Sequence, residues 1–162
     1  MIAQEAHRLG VEVDHRPADL GTDEANVLDV VKEFINRSPL IPEIVVLFQP
    51  TNPFVRTTDI ERTLSALESS RDARTAQTVA KVPHNYHAWN QREIQGSSVT
   101  FALKDKRLGA FNKQKKPDLY KFGNLVAVRR QALFTMHEFF DEPSIGVKID
   151  FPYDLDVDGP QD

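Results

Sequence analysis

The sequence predicts an α/β fold built on a mainly parallel β-sheet that is covered on both faces. The first observation is an uninterrupted apolar run, EIVVLF at residues 43–48, whose length and β-branched content are typical of a strand buried on both sides. The second is the alternation of strand-like and helix-like segments along the first half of the chain, which indicates right-handed βαβ units. The third is composition: 162 residues with 40% hydrophobic and 27% charged residues suit a globular domain with a core.

The N-terminal elements follow from apolar spacing. Residues 2–9 place apolar side chains at helical intervals and stop at Gly10, a natural C-terminal cap. VEVDH at 11–15 predicts a short strand. Because the chain begins on a helix, with no strand before it from which to cross over, we expect an N-terminal βα piece to be missing.

Two further helices and a strand follow. Thr22 or Asp23 is expected to cap a second helix, whose apolar face falls within residues 27–35. A third helix is expected after the loop QPTNPF, because Thr58 and Glu61 have the spacing of a capping box. Residues 75–82 predict the next strand.

The second half is less regular. Residues 83–98 are polar and aromatic and predict a loop or hairpin over the sheet. Strands are expected at 99–103, 124–128 and 146–150, a helix at 131–140, and an acidic tail after that.

Composition and motifs exclude several classes of function. The chain has no cysteine, so disulfides, cysteine–zinc sites, iron–sulfur clusters and thiol nucleophiles are excluded. A net charge of −4 argues against a general polyanion binder, and no nucleic-acid partner is expected. No apolar run reaches the ~20 residues that span a bilayer, and no signal-peptide pattern opens the chain, so we expect a cytoplasmic protein without a membrane partner. Nucleophile-elbow and dinucleotide-binding glycine patterns are missing as well.

Charge is unevenly distributed. Residues 104–121 hold seven basic and two acidic residues, whereas residues 149–162 hold five aspartates and no basic residue. A basic loop opposite an acidic strand end would bind a phosphate chain and its divalent metal, since cations neutralise phosphate and carboxylates bind Mg²⁺. Two solvated surface segments are the alternative interpretation.

The loop after the apolar run is a second candidate site. Gln49, Thr51 and Asn52 follow the carboxyl end of the predicted strand, where ligands bind in open α/β sheets. Amide and hydroxyl groups there would recognise a polyhydroxyl compound or a base edge. A turn that only caps the next helix is an equally good interpretation.

Four segments in this order resemble one enzyme family. They are RPADLGTD (16–23), VVLFQPTNPF (45–54), NKQKKPDLYKFGNLVAV (112–128) and VKIDFPYDLD (147–156). Together they are similar to the acylneuraminate cytidylyltransferases, the CMP-sialic acid synthetases and their relatives, over about residues 2–157. QPT-x-P after a buried strand is the most specific of the four matches.

The resemblance implies a fold and an activity. It implies a three-layer, Rossmann-like nucleotidyltransferase fold over residues 1–162, here N-terminally truncated, with a subregion at about 103–146 for dimerisation and substrate. It also implies a Mg²⁺-dependent, homodimeric enzyme that transfers CMP from CTP to a nonulosonic sugar acid and releases pyrophosphate.

Residue roles follow from the resemblance by position. They are catalytic or substrate-approaching roles for Lys113 and Gln114, nucleotide binding for Arg16 and Asp23, substrate binding for Gln49, Thr51, Asn52, Tyr120 and Asn124, and metal binding for Asp150.

The chain departs from the family pattern at several positions. Lys148 replaces the first aspartate of the terminal motif, Lys113 replaces an arginine, and Gly123-Asn124 stands where Asn-Gly is usual. The initial strand and the CTP phosphate-binding loop are expected to be missing.

Two alternatives stay open. One is a catalytically inactive remnant that binds a sugar acid or a partner. The other is a nucleotide-sugar glycosyltransferase that uses the Asp-x-Asp pairs of the C-terminal tail, at 154–156 or 156–158.

Overall fold

A computed structural model describes residues 2–22, 24–110 and 112–162, with the side chain of Lys113 left out. In chain order the elements are α1 (Ile2–Arg8), α2 (Val27–Arg37), β1 (Ile44–Phe48), α3 (Thr57–Ser69), β2 (Thr75–Lys81), β3 (Arg92–Gln95), β4 (Ser98–Phe101), α4 (Lys104–Leu108), β5 (Tyr120–Arg129), α5 (Arg130–Leu133) and β6 (Ser144–Ile149). Short 3₁₀ turns occupy Ala18–Gly21, His84–Tyr86, Ala88–Asn90 and Lys113–Lys115.

Four strands form the central sheet in the order β1-β5-β2-β6. Strands β2 and β6 are parallel to each other, whereas β5 runs antiparallel to both of its neighbours, β1 and β2. Three of the four strands therefore point in one direction, one of the three pairings is parallel, and the sheet is mixed. Strands β3 and β4 form a separate antiparallel hairpin; β3 lies in the region where a loop or hairpin is predicted, and β4 overlaps the strand predicted at 99–103.

Helices cover both faces of the sheet. On one face, Leu67 of α3 packs with Ala76 and Ala127 of the sheet. On the other face, Leu28 and Ile35 of α2 and Leu133 of α5 pack with Val126 and Val128. Alternate residues of β5 face opposite layers, which explains why the run 124–128 is apolar without a break. The α/β fold class and its three layers are confirmed.

One predicted strand does not form. Residues 11–15 have no regular secondary structure; the Val11 amide bonds the Ala6 carbonyl, and Asp14 pairs with Arg37 of α2. A strand needs a neighbour to satisfy its backbone groups, and among the described residues no strand pairs with this segment.

Helix ends also differ from the predictions. The cap of α2 is Asn26, whose Oδ1 accepts the Leu28 amide at 2.8 Å, rather than Thr22; Asp23 lies outside the described residues. Helix α3 begins one residue before Thr58 and has no side-chain cap, so the predicted capping box is not used. The helix predicted at 131–140 is shorter in the structure, where α5 ends at Leu133.

None of the helices in the described ranges is long and apolar enough to cross a bilayer.

Candidate functional site

Several of the predicted site residues lie at one edge of the sheet. Gln49 follows the end of β1, Asp150 follows the end of β6, and Tyr120 begins the antiparallel β5, where it pairs with Lys81 at the end of β2. The carboxyl ends of β1, β2 and β6 and the amino end of β5 therefore lie at the same end of the sheet, which we call the sheet edge. Strands β1 and β6 are the outermost strands of the sheet, and three strand spacings separate them by about 14 Å.

The C-terminal segment (150–157) spans that distance. It leaves β6 at Asp150 and returns to the loop after β1, where the Val157 amide donates to the Thr51 carbonyl at 2.8 Å. Asn52 Nδ2 donates to the Leu155 carbonyl at 3.1 Å. The loop after β1 and the C-terminal segment are thus hydrogen-bonded to each other.

The side chain of Asn52 is nearly buried, at 5% exposure. Its Nδ2 is used by the Leu155 carbonyl, but its Oδ1 is buried without a hydrogen-bond donor among the described residues. A buried acceptor without a donor is energetically costly. Gln49 by contrast is exposed, and Thr51 is half-buried.

A β-bulge brings Asn124 between these two segments. The pairing of β5 with β2 shifts at Thr78, so residues 123–125 lie opposite one residue of β2. Thr78 Oγ1 accepts the amides of Asn124 and Leu125 at 2.8 and 3.1 Å, and so replaces the lost ladder bonds. It also donates to Asn124 Oδ1 at 2.9 Å.

The fully buried Asn124 side chain is committed to the protein itself. Its Nδ2 donates to the carbonyls of Phe54 and Tyr153, at 3.0 and 2.9 Å. One residue belongs to the loop after β1 and the other to the C-terminal segment. Both amide hydrogens are used, so Asn124 positions the two segments, and a direct substrate contact stays a prediction.

A second contact holds the same two segments. The Arg56 guanidinium lies over the Tyr153 ring, 3.6 Å from its centroid, and bonds both carboxylate oxygens of the buried Asp59 at 2.8 Å. Hydrogen bonding to Asp59 raises the pKa of Arg56. Arg56 therefore ties the start of α3 to the C-terminal segment through charge and ring stacking.

A cleft of 620 Å³ lies beside the end of β2. Gln114 lines it together with Lys81, His87, Lys116 and Asp118. Lys81 and Asp118 form an ion pair at 2.7 Å, and hydrogen bonding to Lys81 lowers the pKa of Asp118. The exposed Gln114 thus lies in a polar cleft near the sheet edge, and its role in substrate approach stays a prediction.

Around Asp150 the structure shows one exposed carboxylate and a neighbouring ammonium. Lys148 lies two residues earlier, at the end of edge strand β6, and its Nζ is 5.1 Å from the centre of the Tyr120 ring. Hydrogen bonding to Tyr120 raises the pKa of Lys148, so the ammonium stays charged at neutral pH. Within the described ranges no three His, Asp or Glu side chains are arranged to hold a metal ion. One carboxylate is nevertheless a donor set that Mg²⁺ uses when phosphate oxygens and water complete its shell.

The remaining predicted site residues lie away from this edge of the sheet or outside the described residues. Arg16 is exposed in the segment after α1, and no hydrogen bond or ion pair between described residues joins it to the loop after β1. Asp23 lies outside the described residues, as does the side chain of Lys113, whose backbone begins a 3₁₀ turn.

Sequence reasoning assigned no role to three residues that build this edge: Thr78, Arg56 and Tyr153. The polar Thr78 inside a predicted strand was the available signal, because a buried hydroxyl needs partners. Arg56 and Tyr153 are far apart in sequence, and nothing in either segment predicts their contact.

Comparison with known proteins agrees with this architecture. A family model described as cytidylyltransferase matches residues 1–157. Among solved structures, the chain is similar to CMP:2-keto-3-deoxy-manno-octonic acid synthetase complexed with CTP, with a TM-score of 0.62 and 12% identity over 92% of this chain and 68% of that chain. No curated protein gives a significant match. Since the family model covers nearly the whole chain, the protein belongs to the cytidylyltransferase family.

Proposed function

We propose that the chain transfers CMP from CTP to a nonulosonic, sialic-acid-like sugar acid and releases pyrophosphate. One observation carries the proposal: the segment that begins with Asp150 is hydrogen-bonded to the loop of Gln49, Thr51 and Asn52. Residues assigned to metal and to sugar are therefore held as one unit at the carboxyl edge of the sheet, where α/β enzymes bind ligands. Family membership supports the nucleotidyl transfer.

In the proposed reaction the anomeric hydroxyl of the sugar acid attacks the α-phosphorus of CTP. A P–O bond to the sugar forms, the bond between the α-phosphorus and the bridging oxygen of pyrophosphate breaks, and the hydroxyl proton passes to water. Positioning and charge neutralisation supply most of the rate in such reactions. Lys113 and Gln114 are the groups we assign to the approach of the substrate.

The sugar side of the site is assigned to the loop after β1. Gln49 and Thr51 would contact hydroxyl groups, and the donor-free Oδ1 of Asn52 suits a sugar hydroxyl or a bridging water. Tyr120, with 38% exposure, offers a ring face and a hydroxyl at the same edge. Arg16 and Asp23 are assigned to the nucleotide.

Mg²⁺ is assigned to Asp150. It would enter with the triphosphate and neutralise phosphate charge. The chain's own contribution is one hard oxygen ligand at the end of β6, with the Lys148 ammonium two residues away as a second neutralising charge.

A homodimer is part of the proposal. The resemblance assigns dimerisation to the subregion at about 103–146; just before it, Ile94 and Val99 face each other across the β3–β4 hairpin and are 73% and 58% exposed. An exposed cross-strand pair of apolar residues favours contact with a second copy.

The test is pyrophosphate release by the full chain incubated with CTP, Mg²⁺ and a panel of nonulosonic acids. Release with one of the acids is the expected result. We expect Asp150→Asn to lower kcat/KM by about 10²-fold, whereas the exposed Asp72→Asn serves as the matched control and leaves it unchanged. No release with any acid, from a folded chain, would refute the proposal.

The alternative of an inactive remnant is favoured by Lys148, which stands where the family has a carboxylate. Binding of a sugar acid without pyrophosphate release would identify it. The Asp-x-Asp glycosyltransferase alternative is weakened for the pair at 154–156, because Asp154 pairs with Lys121 at 3.1 Å, which leaves that carboxylate partly neutralised; the pair at 156–158 is not affected by this contact.

A further inference from the structure

Three cationic side chains converge on one neutral residue, Asn90. Arg107 Nη1 and Lys116 Nζ both donate to Asn90 Oδ1, at 2.6 and 2.5 Å. Arg92 Nη1 donates to the backbone carbonyl of the same residue at 3.0 Å. The cations come from three separate parts of the chain: β3, α4 and the segment before β5.

The arrangement is held in place by the surrounding structure. The Asn90 amide is oriented by its Nδ2, which donates to the His84 carbonyl at 2.7 Å, so its oxygen must face the cations. The guanidinium carbons of Arg92 and Arg107 lie 4.6 and 4.2 Å from the centre of the Phe101 ring. Ring stacking therefore restrains both arginines before any ligand binds.

In the part of the chain that the structure describes, the three cations of this cluster have no directly paired carboxylate. No carboxylate within the described ranges forms an ion pair with Arg92, Arg107 or Lys116. An amide oxygen accepts hydrogen bonds but carries no net charge. Burial, followed by the charge of Arg107, lowers the pKa of Lys116, as expected when two cations are held together.

The cluster is also reachable. Lys116 lines the 620 Å³ cleft that contains Gln114, while Arg92 is exposed and Arg107 and Asn90 are half-buried.

We propose that Arg92, Arg107 and Lys116 form an oxyanion-binding site beside the cleft, for a phosphate or a carboxylate group. Guanidinium forks and an ammonium make charge-assisted hydrogen bonds with both kinds of group. This proposal is independent of CMP transfer, because it rests only on the charge and geometry of the cluster.

The experiment titrates the full chain with inorganic phosphate and, separately, with acetate, at ionic strength held constant with sodium chloride. Binding is followed by amide NMR shifts around residues 90, 107 and 116. Saturable shifts are expected. Tighter binding of phosphate indicates a phosphoryl ligand, and tighter binding of acetate indicates a carboxylate ligand.

Variants test the residues. Arg107→Gln and Lys116→Gln each remove one charged donor and should weaken binding at least about tenfold. Lys104→Gln, on the exposed start of α4, removes the same charge and should change binding by less than about twofold. Non-saturating shifts, or an equal effect of Lys104→Gln, would overturn the proposal.

A fourth variant covers the case in which those substitutions unfold the chain. Asn90→Asp places a carboxylate between the cations and should weaken anion binding at least about tenfold, whereas Asn85→Asp, at an exposed position five residues earlier, should not. Unaltered binding in a folded Asn90→Asp variant would equally contradict the site.

Discussion

Asn124 is the residue on which the geometry of the candidate site depends most, and Asn124→Ala tests this directly. The substitution removes the donors to the Phe54 and Tyr153 carbonyls and the acceptor of the Thr78 hydroxyl. A buried polar group left without its partner costs about 1–3 kcal/mol. Since both carbonyls are only part-buried and can regain water, we expect a total loss of about 2–4 kcal/mol in the free energy of unfolding.

Two measurements check this expectation. Urea unfolding, followed by the fluorescence of the single tryptophan, Trp89, gives the global loss. Hydrogen exchange at the Val157 amide, which bonds the Thr51 carbonyl, reports whether the C-terminal segment has separated from the loop. We expect faster exchange at Val157 in Asn124→Ala.

The matched control is Asn85→Ala, because Asn85 is exposed in a 3₁₀ turn. It should change the free energy of unfolding by less than about 0.5 kcal/mol. If Asn124→Ala is no more destabilised than this control, or if exchange at Val157 is unchanged, the bulge does not position the two segments and the reasoning is refuted.

Two further predictions concern close packing and charge. A Cβ at Gly123 would lie 2.6 Å from Thr78 Oγ1, so Gly123→Ala should lower the thermal midpoint of unfolding by the equivalent of about 1–3 kcal/mol. The control Gly21→Ala, whose Cβ would have no atom within 4 Å, should leave the midpoint nearly unchanged. Equal midpoints for the two variants would contradict the packing argument. Hydrogen bonding to Arg37 lowers the pKa of Asp14 in the folded protein. The pair therefore stabilises the fold fully at pH values above the pKa that Asp14 has in the unfolded chain. This stabilisation is lost as the pH falls through the lower pKa that Asp14 has in the folded protein. NMR titration should find that pKa below its ordinary value and restored in Arg37→Gln, and an identical pKa in both proteins would show that the pair has no such effect.

Apolar patterning predicted strands of the central sheet, both outer and inner, and failed where no neighbouring strand is present to pair with. The run at 44–48 forms the half-buried outer strand β1, and the run at 124–128 is the buried part of the inner strand β5, where continuous apolar character reflects burial on both faces. Residues 11–15 have a similar local pattern but no partner strand among the described residues, so they stay irregular. Local sequence encodes the tendency to extend, whereas pairing is a property of the whole fold.

The candidate site was predicted in part for the same reason. Gln49 follows a strand end that can be read from the sequence, whereas Asp150 was assigned from the resemblance to the cytidylyltransferases. The role of Asn124 could not be read from it, because a bulge opposite Thr78 decides where the side chain points. A shift of one residue along a strand moves a side chain to the other face, so the Gly-Asn order of this chain has a consequence that only the three-dimensional pairing reveals.

The polar residues at the sheet edge fall into two groups with different physical roles. Asn124 is buried with its amide hydrogens donated to the protein, so it holds the segments that carry the site. Gln49, Gln114 and Asp150 are exposed and keep the capacity to bond a ligand. Because the outer strands β1 and β6 stand about 14 Å apart, Asp150 is joined to the loop of Gln49 by the C-terminal segment as well as by the sheet. A substitution that loosens that segment should therefore weaken metal and sugar binding together, even though it touches neither ligand.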